Sequence, residues 1–416
     1  MSNIPTKFTG YQKFVVAMLS FLQFTIILDF MIISPLGAIL MPAFKISPAQ
    51  FGIVVSAYAF SAGVSGILAA GFADRFDRKK LLLFFYAGFI LGTFLCAQAQ
   101  TYYFLLAARM VTGLFGGVIG SIVFAITTDL FEFEQRGQVM GFVQTAFAAS
   151  QILGIPAGLF FSNLWGWHAP FLMIVAVSIL VGVFIVIYLK PINAHVKIQN
   201  DKNAFHHLTN TFKNPHYLFA FATTALLSTG GFMLMPFGSA FTVHNLGIAV
   251  EKLPLVYLIT GLCAIVTGPL VGKASDKFGK FKVFTFGSVL SIILVLIYTN
   301  LGISPLWYVA TVNAILFIGI FSRMIPSQAL MSAIPATDSR GAFMAISSSL
   351  QQISGGFAAV IAGYVVIERS GGYLEHFDTL GYILVGTTTF TWIMMYSINK
   401  SIKIKLDKAK ALNATV

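Results

Sequence analysis

The chain has 416 residues, 57% of them hydrophobic and only 10% charged, with a mean hydropathy of +0.85. That is more apolar surface than a soluble core can hide, and it places the chain in a bilayer. A net charge of +12 would suit nucleic acid, but the basic residues lie in short segments between apolar runs, so no nucleic-acid partner is expected. Cys96 and Cys263 both fall inside such runs, which excludes a disulfide framework.

A crossing helix needs ~20 predominantly apolar residues. Twelve runs meet that length, at 14 to 38, 50 to 72, 81 to 99, 102 to 128, 139 to 161, 169 to 189, 217 to 241, 251 to 272, 283 to 301, 306 to 332, 342 to 367 and 378 to 398. The first is too long for a signal-peptide core and has no small-residue cleavage site, so it is read as a retained helix. An even number of spans puts both termini on one side. The segments on that side hold 21 of the 26 Lys and Arg, the opposite loops hold Lys45, Lys252 and Arg369, and Arg109 and Arg323 lie within spans. The positive-inside rule then makes both termini cytoplasmic.

Residues 190 to 216 are the longest polar stretch and read as a cytoplasmic linker, with a short interfacial helix around 205 to 212. Its His195, His206 and His207 lack the Cys or carboxylate cluster that would complete a metal site. The expected organisation is a six-helix half over 1–189, the linker 190–216, a second six-helix half over 217–399, and a basic cytoplasmic tail over 400–416.

The chemistry-bearing residues follow in chain order. Asp29, in span one, is the only acid placed well inside the membrane, where a charge costs ~2.5 to 3.5 kcal/mol on the insertion scale and needs a reason. After span two comes Ala70-Gly71-Phe72-Ala73-Asp74-Arg75-Phe76-Asp77-Arg78-Lys79-Lys80; after span eight comes Gly272-Lys273-Ala274-Ser275-Asp276-Lys277-Phe278-Gly279-Lys280. The acids Asp74 and Asp276 are 202 residues apart. Arg136-Gly137 before span five and Arg340-Gly341 before span eleven repeat at an offset of 204, so one unit is read as duplicated. Span four holds Leu105-Leu106-Ala107-Ala108-Arg109-Met110-Val111-Thr112-Gly113, and span five holds Gly154-Ile155-Pro156-Ala157-Gly158. At ~1.5 Å per residue, Asp29 lies about 14 Å from the outer end of its span and Arg109 about 10 Å from its own, so the two share a depth.

The repeated Gly, Asp, basic pattern resembles the loop signature of the major facilitator superfamily. The second copy keeps it, with Gly272, Asp276, Lys277, Gly279 and Lys280. The first departs from it, with Ala70 for the early Gly and Asp77 for the later one. Span four is similar to the superfamily's Arg-and-Gly motif, whose Arg is associated with proton coupling. Gly154, Pro156 and Gly158 resemble the antiporter motif, with Ile155 inserted, and the chain as a whole resembles the drug and sugar proton-antiporter, arabinose-efflux-permease-like branch. The resemblance implies an all-α membrane protein of twelve transmembrane helices in two pseudo-symmetric halves around a central cavity, with helices one, four, seven and ten lining it. It also implies a bacterial inner-membrane location, a small-molecule substrate, protons as the coupled ion, a monomer, and no cofactor beyond the proton gradient.

Each role has an alternative. Asp29 and Arg109 are read as the proton-coupling pair, whose carboxyl exchanges its proton as the cavity alternates between wet and closed states; otherwise they are a static ion pair. Asp74, Arg75, Arg78, Asp129, Arg136, Asp276, Lys277 and Arg340 are read as a cytoplasmic latch in which the loop acids face the helix starts of the opposite half, or as solvated loop charges. Arg323 either contacts an anionic or polar substrate group, forms a gate pair, or snorkels to the inner interface. Gln144, Gln151, Thr224, Ser228, Asn313, Gln328 and Gln351 offer polar contacts in a substrate cavity, or bridge helices. Gly-rich pieces such as 113 to 120 read as close helix packing rather than phosphate loops. Export of a drug-like compound or sugar is the function expected, against a facilitator or proton-coupled importer, and against a sensor or scaffold without flux. No Ser and His, paired-carboxylate or metal constellation supports an enzyme.

Overall fold

A computed structural model describes residues 8–72, 76–193, 211–335 and 340–413. Spans one to four are Gly10–Ile32, Pro48–Phe72, Arg78–Ala97 and Tyr102–Leu130. Span five is broken into Phe133–Ala149 and Ile155–Trp165 by a π turn over Ser150–Gly154, and span six is Ala169–Tyr188. Span seven, Pro215–Leu234, runs through a 3₁₀ turn into Gly238–His244. Spans eight to twelve are Leu253–Phe278, Lys280–Thr299, Leu306–Ser332, Arg340–Val365 and Phe377–Asn413. Ten of these segments are long and apolar enough to cross a membrane by composition alone. Spans eleven and twelve fall short because runs such as Ser347-Ser348-Ser349 and Thr387-Thr388-Thr389 dilute them.

Local chemistry sets the helix starts. Thr9 and Gln12 form a reciprocal capping box on span one, Thr101 caps span four, and the side chain of Asp77 accepts the amide of Lys80 at 3.0 Å to cap span three. Such caps satisfy amide groups that a helix start leaves without partners. Asp77 thus has a structural use at the place where the loop signature would carry glycine.

Span two packs against span four in its own half and against span eleven across the halves. Span five packs on span one and, across the halves, on span eight. The end that the basic-residue count assigns to the outside is termed the outer end. There Ser239 of span seven donates from Oγ to the Ser34 carbonyl at 3.0 Å and accepts the Ala38 amide at 3.3 Å. Phe51 and Phe237 meet edge-on beside this contact. Deeper, Phe30 packs on Phe232 and Phe60 on Phe357, so apolar contacts between the halves continue down from the outer end. Large exposed side chains such as Phe84, Leu180, Val186 and Phe390 suit an outer surface solvated by lipid, as a membrane bundle requires.

Three features differ from the sequence reading. Residues 367 to 378 are not a plain loop: Ile367–Glu368 pairs antiparallel with Leu374–Glu375. The tail does not part from span twelve, whose helix continues to Asn413. Span five begins near 133 rather than 139, because its polar first turn is helical although not apolar. Most of the interfacial helix read around 205 to 212 lies outside the described residues.

Candidate functional site

Asp29 stands in the last turn of the span-one helix, which ends at Ile32. Its Oδ2 accepts Arg109 Nη1 at 2.8 Å, and both side chains are wholly inaccessible. The same Nη1 lies 3.4 Å from the Asp29 carbonyl oxygen. A helix end presents partial negative charge, so a cation is favoured there even apart from the carboxylate. Thr93 of span three donates to Asp29 Oδ1 at 3.1 Å, and the ring of Tyr58 from span two sits 4.7 Å from the guanidinium carbon. Cys96 and Thr112 close the group at 3.7 Å.

Four helices of one half therefore enclose the pair. That corrects the expectation of a pair facing the central cavity: its neighbours come from spans one to four, because Thr93 and Tyr58 supply the polar and aromatic contacts that the ions need once out of water. Arg109 Nε and Nη2 have no hydrogen-bond partner. Asp29 is the only buried carboxylate among the described residues.

The antiporter-like residues brace this turn of span one. A Cβ at Gly154 would fall 2.6 Å from a terminal methyl of Leu28, and one at Gly158 2.7 Å from that of Ile32, so these span-one side chains fill the space the two glycines leave and would have to shift to admit a larger residue. Ser150 opens the π turn by donating to the Phe24 carbonyl of span one at 3.2 Å. On its other side the π turn meets the opposite half, where Gly261 of span eight fits against Gln151 and Ile152. The signal missed in the sequence is this break in the helix, and Pro156, which lacks an amide hydrogen just after it, marked the place.

The contacts shown for the described loop charges lie within halves. Arg78, at the start of span three, holds Asp129 of the last turn of span four at 3.0 Å. Arg136 donates to the carbonyls of Thr128 at 2.8 Å and Phe131 at 3.1 Å. Its charge thus meets the negative end of span four rather than an acid of the other half, which corrects the cross-half arrangement for this residue. Asp276, in the last turn of span eight, pairs with Lys280 at the start of span nine at 3.7 Å, both side chains exposed, so it too is engaged within its half. Lys277 lies over the Phe278 ring. Asp74 and Arg75 lie outside the described residues, as does the side chain of Arg340.

The polar candidates are scattered. Gln151 is buried at the contact with span eight. Thr224 is buried with an unpartnered hydroxyl. Ser228 bonds the Ala225 carbonyl and Asn313 the Val309 carbonyl, each in its own helix. Gln144 and Gln328 are exposed and Gln351 is half-buried. Arg323 is buried without a carboxylate partner among the described residues.

The sequence profile of the Major Facilitator Superfamily matches residues 19–399. The chain belongs to that superfamily. An uncharacterized MFS-type transporter of Bacillus subtilis, YceJ, is 26% identical over 389 residues, covering 91% of this chain and 94% of that one. A probable sugar efflux transporter of Helicobacter pylori is 24% identical over 335 residues, covering 80% of this chain and 83% of that one. Among solved structures, a bacterial homolog of the human lysosomal transporter Spinster, crystallised in an inward-facing and occupied conformation, superposes with a TM-score of 0.74 at 15% identity, covering 95% of this chain and 98% of that one. The fold is thus that of the superfamily, in a multi-pass membrane protein of a transporter family.

Proposed function

We propose that the protein exports a small organic solute, a sugar or drug-like compound, in exchange for protons by alternating access, with Asp29 carrying the coupled proton. The carrying observation is the Asp29–Arg109 pair at 2.8 Å, sealed from water on the turn of span one that the π turn of span five clasps. Protonation would release Arg109 and alter the packing of that turn. The π turn touches span eight, so the altered turn bears directly on the contact between halves. The outer end, closed by Ser239, would part in the opposite state. Efflux of a sugar is supported by the relative named as a sugar efflux transporter. Both termini and the linker are placed in the cytoplasm by the basic-residue count.

Reconstitution in proteoliposomes tests this. An imposed pH gradient should drive uptake into inside-out vesicles, and Asp29→Asn should abolish that uptake while solute counterflow persists. Gradient-driven uptake at the wild-type rate by Asp29→Asn would remove the proton role.

A further inference from the structure

Span ten carries a second buried cation, and among the described residues no carboxylate pairs with it. Arg323 is 8% exposed, and its Nε is sealed with no hydrogen-bond partner. A guanidinium stays charged in proteins and presents five donors. Arg109 shows how this molecule treats such a charge when the answer is internal, with a carboxylate at 2.8 Å. Arg323 has no equivalent. The acids described in the second half, Glu251, Asp276, Glu368, Glu375 and Asp378, all lie near helix ends or in the hairpin.

Snorkelling does not account for it. Span ten runs inward to Ser332, nine residues beyond Arg323, or about 14 Å of helix. Side chains lean toward the start of their helix, and here that is the membrane middle, away from the inner interface. A second donor waits in that direction. Ser291 of span nine, buried and with an unpartnered Oγ, lies against Gly319, one turn before Arg323, where an added Cβ would be only 2.6 Å from that oxygen. The Ser291 hydroxyl can accept as well as donate, but among the described residues neither it nor Arg323 Nε has a hydrogen-bond partner, and a guanidinium with a hydroxyl beside it is complementary to an acceptor-rich anion.

We infer that Arg323, assisted by Ser291, recognises an anionic group on the transported solute, a carboxylate or a phosphate monoester, so that the substrate is an organic anion rather than a neutral sugar. This rests on the transport reading. A bound carboxylate or phosphate would accept from both groups.

The test uses purified full-length protein with glucose, gluconate and glucose 6-phosphate, which share a carbon skeleton and differ in charge. A ligand of the folded state raises its apparent melting temperature by mass action. At least one of the two anions should raise that of the wild type, glucose should do so less, and which anion acts separates carboxylate from phosphate recognition. Arg323→Gln should weaken the effective anion by about tenfold or more, the loss expected for a charge-assisted hydrogen bond. Arg323→Lys should retain part of the affinity, and Ser291→Ala should lose less than Arg323→Gln. If the glutamine variant does not fold, the lysine and alanine variants still give the comparison. An anion shift undiminished in all three variants, a shift from glucose alone, or no shift from either anion overturns the inference. Anion binding that requires Arg323, without counterflow of any of the three solutes, would sustain the site and defeat the transport reading instead.

Discussion

Asn313 of span ten stands 204 residues after Arg109 of span four, the offset that also separates Arg136 from Arg340. Around Arg109 the polar centre is ionic. Around Asn313 it is neutral, with the Tyr298 phenol beside it and Thr242 Oγ1 3.0 Å from that phenol oxygen. A duplicated fold has thus kept two polar centres and placed opposite charges in one of them, which confines the proposed proton chemistry to the first half.

The buried pair should behave as a unit in stability. Removing one partner leaves the other charged and unpaired, at a cost of about 3–5 kcal/mol, whereas removing both together can be nearly neutral. Asp29→Asn and Arg109→Gln should each lower the unfolding midpoint in detergent, and the double variant should recover most of the loss. Gradient-driven transport should stay absent in the double variant despite that recovery. Full recovery of transport along with stability would reduce the pair to a structural role.

Ser239 joins span seven to the segment just past span one, at Ser34 and Ala38, by two hydrogen bonds at the outer end. At a net ~0.5–1.5 kcal/mol per bond, Ser239→Ala should shift the population several-fold toward an outward-open state. Thiol labelling of cysteines substituted at Ser34 and at Pro236 would register the change, and labelling no faster than in the parent would show that the apolar contacts alone keep this end shut.

Arg136 and Asp276 should separate cleanly. Arg136→Gln loses charge-assisted bonds to two carbonyls at the end of span four, and should cost about 1–3 kcal/mol in unfolding measurements. Asp276→Asn touches one exposed ion pair and should be near neutral. A larger loss of stability for Asp276→Asn would restore the cross-half latch as the better account.

A cysteine at exposed Ser370 in the outer hairpin should react with an impermeant thiol reagent on intact cells, and one at Asn203 in the linker should react only after permeabilisation. The reverse pattern would invert the topology drawn from the basic residues.

The sequence made the spans legible as apolar runs, ten of them apolar enough to stand on composition alone, and helical rise gave Asp29 and Arg109 a shared depth, while their meeting was expected from the helix arrangement that the family resemblance implies. It did not reveal which neighbours enclose them: Thr93 and Tyr58 are ordinary residues in apolar helices until packing brings them to the pair. Arg136 was expected to find a carboxylate because helix starts repel cations, but the carbonyls closing the preceding helix lie nearer. The hairpin at Ile367 and Leu374 was hidden because strands of two residues have no periodicity to read.

Asn245, just past span seven, accepts the Leu374 amide at 2.9 Å with Oδ1 and donates to the Leu374 carbonyl at 2.8 Å with Nδ2. Its amide imitates one rung of a neighbouring strand, and the Phe241 and Phe377 rings stack 3.9 Å apart beneath it. The hairpin is therefore riveted to the end of span seven and cannot flap as an independent flange. When the outer end parts, it should travel as a passenger of the second half, so a fluorophore at Ser370 would report rigid-body tilt of that half rather than local loop motion.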